Sequence, residues 1–429
     1  MIDELAPRAL ALAEALDDRE RASHACQLAI AGIHGYGGAD AWSKPEAVRW
    51  TEQADRFAAE GSPARVWVEY AATWVAVGRG DPRAARAAAT RAREVARSLG
   101  DPVLEWVADT AWLYVASLYT GTPELATEAV AIAEDLAVRS TAGVSTQVLE
   151  QAICFVTWVF IQAGLREQAV ASTRQLEALA ERTKKPEVEI TALAVASWIP
   201  TADGRLDEGV AIDERVRIRG DETGLAGYAL FCRNVSAITR ALLYLGQVEP
   251  LEAARSIRFW VPDFAALTDH ETARDLLDRV GDSPLGSDPA AGVLVPRCVA
   301  LAALAVLTKH EGVARALLDN LRSTPLVTFG AGGGVVPVAR LLGDLAALVG
   351  HREEARAHYE HSFEICERMH LRPEKALTAL GLAELFLEGN DAEHAAAQPH
   401  LDFAIAEFQA MRMQPALERA LAHKGLLKA

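Results

Sequence analysis

The chain has 429 residues, 51% of them hydrophobic, and a formal charge of −16. That length exceeds one ordinary globular core and leaves several domains or one extended array, while the apolar content argues against long disorder. The acidic balance and a handful of scattered lysines exclude a basic nucleic-acid footprint, and an Ala- and Leu-rich chain with only 6% aromatics favours helices.

Residues 1–60 read as N-terminal helices carrying a short insertion, YGGADAWSKPEAVRWTEQADRFAA. The start, MIDELAPRAL, has neither the basic residues nor the apolar run of a signal peptide. The most apolar stretch, Ala152 to Ile161, is far shorter than the ~20 residues needed to cross a bilayer, so no membrane contact is expected. Five dispersed cysteines, with no C-x-x-C pair, point to reduced thiols and a cytoplasmic setting.

Residues 61–256 hold regular repeats. An apolar helix, a glycine turn and a second amphipathic helix recur roughly every 40 residues, with turns at Gly80, Gly121, Gly164, Gly204 and Gly246. Gly suits the left-handed end of the first helix, and Pro, Asp or Glu just after it suits the first turn of the second. Small residues five positions on (Ala85, Ala126, Ala169, Gly209) allow close helix approach. Residues 257–296 depart from this pattern, with Pro262, Pro284, Pro289 and Pro296 breaking helices. They read as an irregular insertion with a short helix over 268–280. Repeats resume over 297–414, with a glycine-free turn at Lys309 and glycine turns at Gly350 and Gly389, and 415–429 reads as a capping helix.

These helix pairs resemble tetratricopeptide repeats in the longer, degenerate form of bacterial signalling ATPases. Two stretches carry the likeness further: RALALAEALDDRERASHACQLAI with the insertion after it, and RPEKALTALGLAELFLEGNDAEHAAAQPHLDFAIAEFQAMRMQPALERALAHKGLLKA. Both look like the C-terminal repeat region of adenylate-cyclase-type and LuxR/MalT-type regulators (the MalT-like region). The resemblance implies an all-α, right-handed superhelical solenoid of about nine helix pairs. It implies a non-catalytic sensor or interaction segment that follows a STAND-class ATPase and an effector domain. An oligomerisation arm is the alternative, and an enzyme is the least favoured reading.

The candidates for chemistry lack their partners. The run Gly330-Ala331-Gly332-Gly333-Gly334 has no Lys after it and cannot be a phosphate loop. His358 and His361 lie one turn apart, but no H-E-x-x-H or cysteine pair completes a zinc site. Glu367 and His370 make half of a di-iron motif without the other half. No cofactor and no metal are therefore expected.

Binding candidates come from counting back along each first helix. Six residues before the turn glycine stand Trp74, Val115, Trp158, Trp198, Arg240 and Asp344. Ten before it stand Tyr70, Ala111, Cys154, Ala194, Ser236 and Arg340; thirteen before it stand Trp67, Ala108, Gln151, Thr191, Arg233 and Pro337. Spacings of three and four share a helix face. The ligand-binding candidates are Trp67, Tyr70, Trp74, Trp158, Trp198, Arg233, Arg240 and Arg340, because Trp, Tyr and Arg dominate binding hot spots. They predict a concave groove for a protein, peptide or small-molecule effector with an apolar and an acidic end. Packing between helices and pairing with neighbouring acids are the competing expectations.

Overall fold

The structure, a computed structural model, describes residues 4–36, 41–247, 270–280, 294–330 and 334–426. It is all-α apart from one two-stranded hairpin among those residues. Helices α1 (Leu5–Ala15), α2 (Arg19–Tyr36) and α3 (Pro45–Phe57) lead into the pair α4 (Pro63–Gly78) and α5 (Pro82–Leu99). The next pairs are α6 (Pro102–Leu118) with α7 (Pro123–Val138) and α8 (Thr146–Gln162) with α9 (Arg166–Thr183). In the following unit the first helix is broken into α10 (Pro186–Ala196) and α11 (Trp198–Ala202), and α12 (Leu206–Thr223) is its partner. The break recurs in α13 (Ala226–Asn234) and α14 (Ile238–Leu245).

Much of the irregular insertion lies outside the described residues; its predicted short helix is present as α15 (His270–Val280). Then come α16 (Val295–Thr308) with α17 (Glu311–Leu321), α18 (Val338–Leu348) with α19 (Arg352–Met369), α20 (Arg372–Leu387) with α21 (Asp391–Met411), and the final α22 (Gln414–Leu426). The insertion expected near residue 45 proves mostly helical. Pro45 occupies the first turn of α3, where its missing N–H is harmless, and Trp50 is buried on its inner face.

The turn chemistry follows from the sequence. At the end of α4, Gly80 N–H donates to Val77 O and Asp81 N–H to Ala76 O, both at 2.9 Å, so two orphan carbonyls are satisfied by a left-handed glycine. Asp81 then accepts from Ala84 N–H to start α5. Gly121 and Gly389 do not adopt the left-handed conformation expected of them. Lys184, Lys309, His370 and Arg412 do adopt it and end helices without glycine.

The first helices of the N-terminal units form an inner layer. In order α2, α4, α6, α8, α10 and α13 each pack on the next, and α13 packs back on α2, which closes a ring. The second helices α5, α7, α9 and α12 stand outside it, and the stripe Ala85, Ala88, Ala89, Ala92 and Ala96 buries α5 against its neighbours. The C-terminal units make a second arc, α16, α18, α20 and α22, whose last helix returns to α14.

This arc docks on the turn edge of the ring. Gly204 lies so close to α21 that a Cβ there would stand 2.5 Å from Met411 Sδ. Arg166 donates to Met369 O at 2.7 Å and pairs with Asp203 at 2.6 Å. The hairpin β1 (Thr328–Phe329) and β2 (Val336–Pro337) completes the contact. Val327 N–H donates to Gln162 O at 2.8 Å and Thr328 Oγ1 to Ile161 O at 2.6 Å, so this segment caps the open carbonyls at the end of α8. No described helix is long and apolar enough to cross a membrane.

Candidate functional site

Inside the ring is a chamber of ≈ 90 Å³. Its aromatic lining comes from four helices: Trp74 of α4, Tyr114 of α6, Phe155 and Trp158 of α8, and Tyr228 and Phe231 of α13; Thr191 of α10 adds a hydroxyl. Trp74 stacks on Tyr114 with ring centroids 3.8 Å apart, and Phe155 tilts against both. Trp42 flanks Trp74 from the other side at 5.5 Å. Such offset stacking fixes the rings and leaves few rotamers open.

Part of the counted row lies at this chamber. Trp74 and Trp158 reach the chamber, and so do Gln151, Cys154, Thr191, Ala194 and Ser236 from the same counted rows. Tyr70 supports it from behind, its hydroxyl donating to Gln151 Oε1. Trp67 packs edge-on to Tyr70, 5.8 Å away, at the partly buried rim of α4.

Trp198 is misplaced by the count. It is fully buried, donates from Nε1 to Thr173 Oγ1 at 3.0 Å, and lies beneath the Arg166 guanidinium. The physical reason is the interruption between α10 and α11: counting by helical turns loses its phase across it. Trp198 fastens the inner layer to α9 and does not line the chamber.

The three arginines are likewise engaged by the protein itself. Arg233 forks onto Asp213, with Nη2 at 2.7 Å from Oδ2. Arg240 is buried beside the Tyr244 ring, and Gly334 packs on its Cβ. Arg340 donates to buried Glu374 and, at 2.5 Å, to Asp344. Burial opposes its charge, yet Glu374 and Asp344 hold the Arg340 pKa above its ordinary value. Tyr244 also donates to Glu374. Arg240 and Arg340 border a second cavity of ≈ 1000 Å³ between the arc and α14, where Glu384 accepts from Arg419 and His423. The expected acidic end of a ligand would meet, in Arg233 and Arg340, arginines already paired with Asp and Glu.

The residue that sequence reading missed is Glu150. It is 3% exposed in α8, one turn before Cys154, and reaches the chamber wall. Tyr228 donates to its Oε1 at 2.8 Å, and the Tyr228 hydroxyl lies 2.8 Å from Thr191 Oγ1. No cationic side chain pairs with it among the described residues. Burial lifts its pKa from the ordinary carboxyl value to about 7, against the lowering effect of Thr191 and Tyr228. A carboxyl one turn from Cys154 in an otherwise apolar helix was the available signal. Burial likewise pushes the Cys154 thiol up to about 12.

His358 and His361, weighed earlier as metal ligands, face Glu354 at 3.6 Å and Glu364 at 3.3 Å. Among the described residues no three His, Cys, Asp or Glu side chains gather in a metal-binding group. No protein-family model matches the chain, and no characterised protein matches it.

Proposed function

We propose that the chain is a non-catalytic ligand-binding module of a cytoplasmic bacterial signalling protein, with the chamber inside the helical ring as its binding site. The observation that carries this is the convergence of aromatic side chains and one buried carboxyl from separate helices on a single cavity. Such a space, mostly apolar with a few fixed polar groups, is the usual form of a small-ligand site. Thiols held protonated by burial are poor nucleophiles, which favours binding over thiol chemistry. The tetratricopeptide-like and MalT-like resemblance supplies the sensor role and the expectation of a STAND-type parent, by analogy of fold.

The test is a thermal-shift screen of small metabolites and short peptides, with native mass spectrometry of the protein as purified. The expected result is one ligand class that raises the Tm of the wild type but not of Cys154→Trp, which fills the chamber. Ligands that bind Cys154→Trp as well as the wild type would remove the chamber as the site.

A second reading, an oligomerisation arm, is favoured by Leu5 and Leu12, exposed on α1, Leu16 at its C-terminal cap, and exposed Leu28 on α2. Sedimentation over a range of concentrations decides it. Self-association abolished by Leu12→Glu would support the arm, and a concentration-independent monomer would remove it.

A further inference from the structure

We propose that the ring chamber takes a compact organic cation, an alkylammonium group seated against its aromatic walls with Glu150 as the counter-charge. This rests on the reading of the chamber as a ligand site and adds its charge preference.

A carboxyl withdrawn from water is costly unless a partner replaces the lost hydration. Glu150 has hydroxyl neighbours but no cation, and the chamber lining includes no Lys, Arg or His among the described residues. Arg233, next in sequence to the lining residue Cys232, is paired with Asp213. A positive group delivered by a ligand would complete the pair.

The walls suit such a group. Six aromatic rings line the space, and a cation within about 6 Å of a ring centroid is attracted by the ring quadrupole, more strongly once desolvated. On the same measure one water needs about 10–15 Å³, so ≈ 90 Å³ admits a group of several heavy atoms. The net charge of −16 raises the local concentration of any cation before it docks.

Protonation enters through Glu150, whose neighbours are Thr191, Tyr228, Cys154 and Cys232, with Glu187 and Lys185 acting at longer range. With its carboxyl titrating near about 7, the empty chamber is largely neutral in mild acid and charged in mild base. A cation binds the charged form and displaces the proton, so its affinity rises with pH.

The experiment titrates the full chain with choline and with its uncharged isostere 3,3-dimethylbutan-1-ol, by calorimetry. The inference expects choline to bind about tenfold tighter than the alcohol near pH 8. It expects choline affinity in the wild type to fall about tenfold between roughly pH 8 and pH 6, with alcohol affinity unchanged. Glu150→Gln should erase the preference, and Tyr228→Phe is the second variant should that one fail to fold. Equal binding of choline and alcohol, both lost in Cys154→Trp, overturns the cation inference while the chamber survives as a ligand site. Absence of choline binding overturns the inference as well. Ligand binding that Cys154→Trp leaves intact overturns the chamber itself.

Discussion

Glu150 makes the chamber sensitive to pH even when empty. Its folded-state pKa, about 7, lies above the ordinary value of 4.5, so between these two the folded chain holds a proton that the unfolded chain releases. Its favourable contribution is full below about 4.5 and is lost as the pH rises through about 7, a span worth about 3 kcal/mol. Glu150→Gln should therefore be the more stable protein near pH 8 and nearly equal to the wild type near pH 5. Thermal unfolding at both values checks this, and a difference that does not grow with pH would count against the assigned environment. The buried Glu374 differs in having its own cation. Arg340→Met leaves that carboxyl without its cation and should cost about 3–5 kcal/mol in urea unfolding, whereas Arg340→Met with Glu374→Leu should recover most of it.

Helix identity and most turns were legible because they depend on neighbours in sequence: Pro, Asp or Glu in the first turn and glycine after the end. The left-handed Lys184, His370 and Arg412 were not, since nothing local distinguishes them from helix-continuing residues. The counted rows reach the chamber in α4, in α8, in α10 before its interruption and at Ser236, miss it in α6, and fail at Trp198 beyond the interruption. The final helix was legible too, at Gln414–Leu426 against an expected start at Pro415. What could not be read was its second surface: α22 packs on α14 as well as on α21, and Pro415 sits against Gly246. Arg419 and His423 anchor it to Glu384. Truncation after Met413 should lower the Tm by several degrees and weaken the α14 contact with it. An unchanged melting curve would show that α22 carries no load. Gly204→Val should be similarly costly, by at least about 1 kcal/mol, since it places a β-branched residue at positive φ and in collision with Met411.

Over the whole molecule the sequence implied an all-α solenoid with a concave groove; the all-α repeat array is present, and its C-terminal arc also folds onto the turn edge of its N-terminal ring. The contacts responsible, such as Arg166 with Met369 O, join residues with no shared motif and great sequence separation. Repeat periodicity carries no information about them. The expected single surface, aromatic at one end and arginine-bearing at the other, is not what the fold builds: Trp74 and Trp158 line the chamber, whereas Arg240 and Arg340 border a separate cavity.

The contact between α2 and α13 alters how such a protein comes apart. In an ordinary stack each repeat touches only its neighbours, and amide protection fades from the two ends inward. A closed ring has no such ends, because the last inner helix leans on the first. Removing α1–α3 should therefore speed hydrogen exchange in α13, far along the chain, as well as in α4 beside the cut. Helices α8 and α9, on the far side of the ring and packed on each other, should keep their protection longest. Exchange that accelerates only in α4 and α5 after this deletion would mean that the ring is closed in geometry but not in energy.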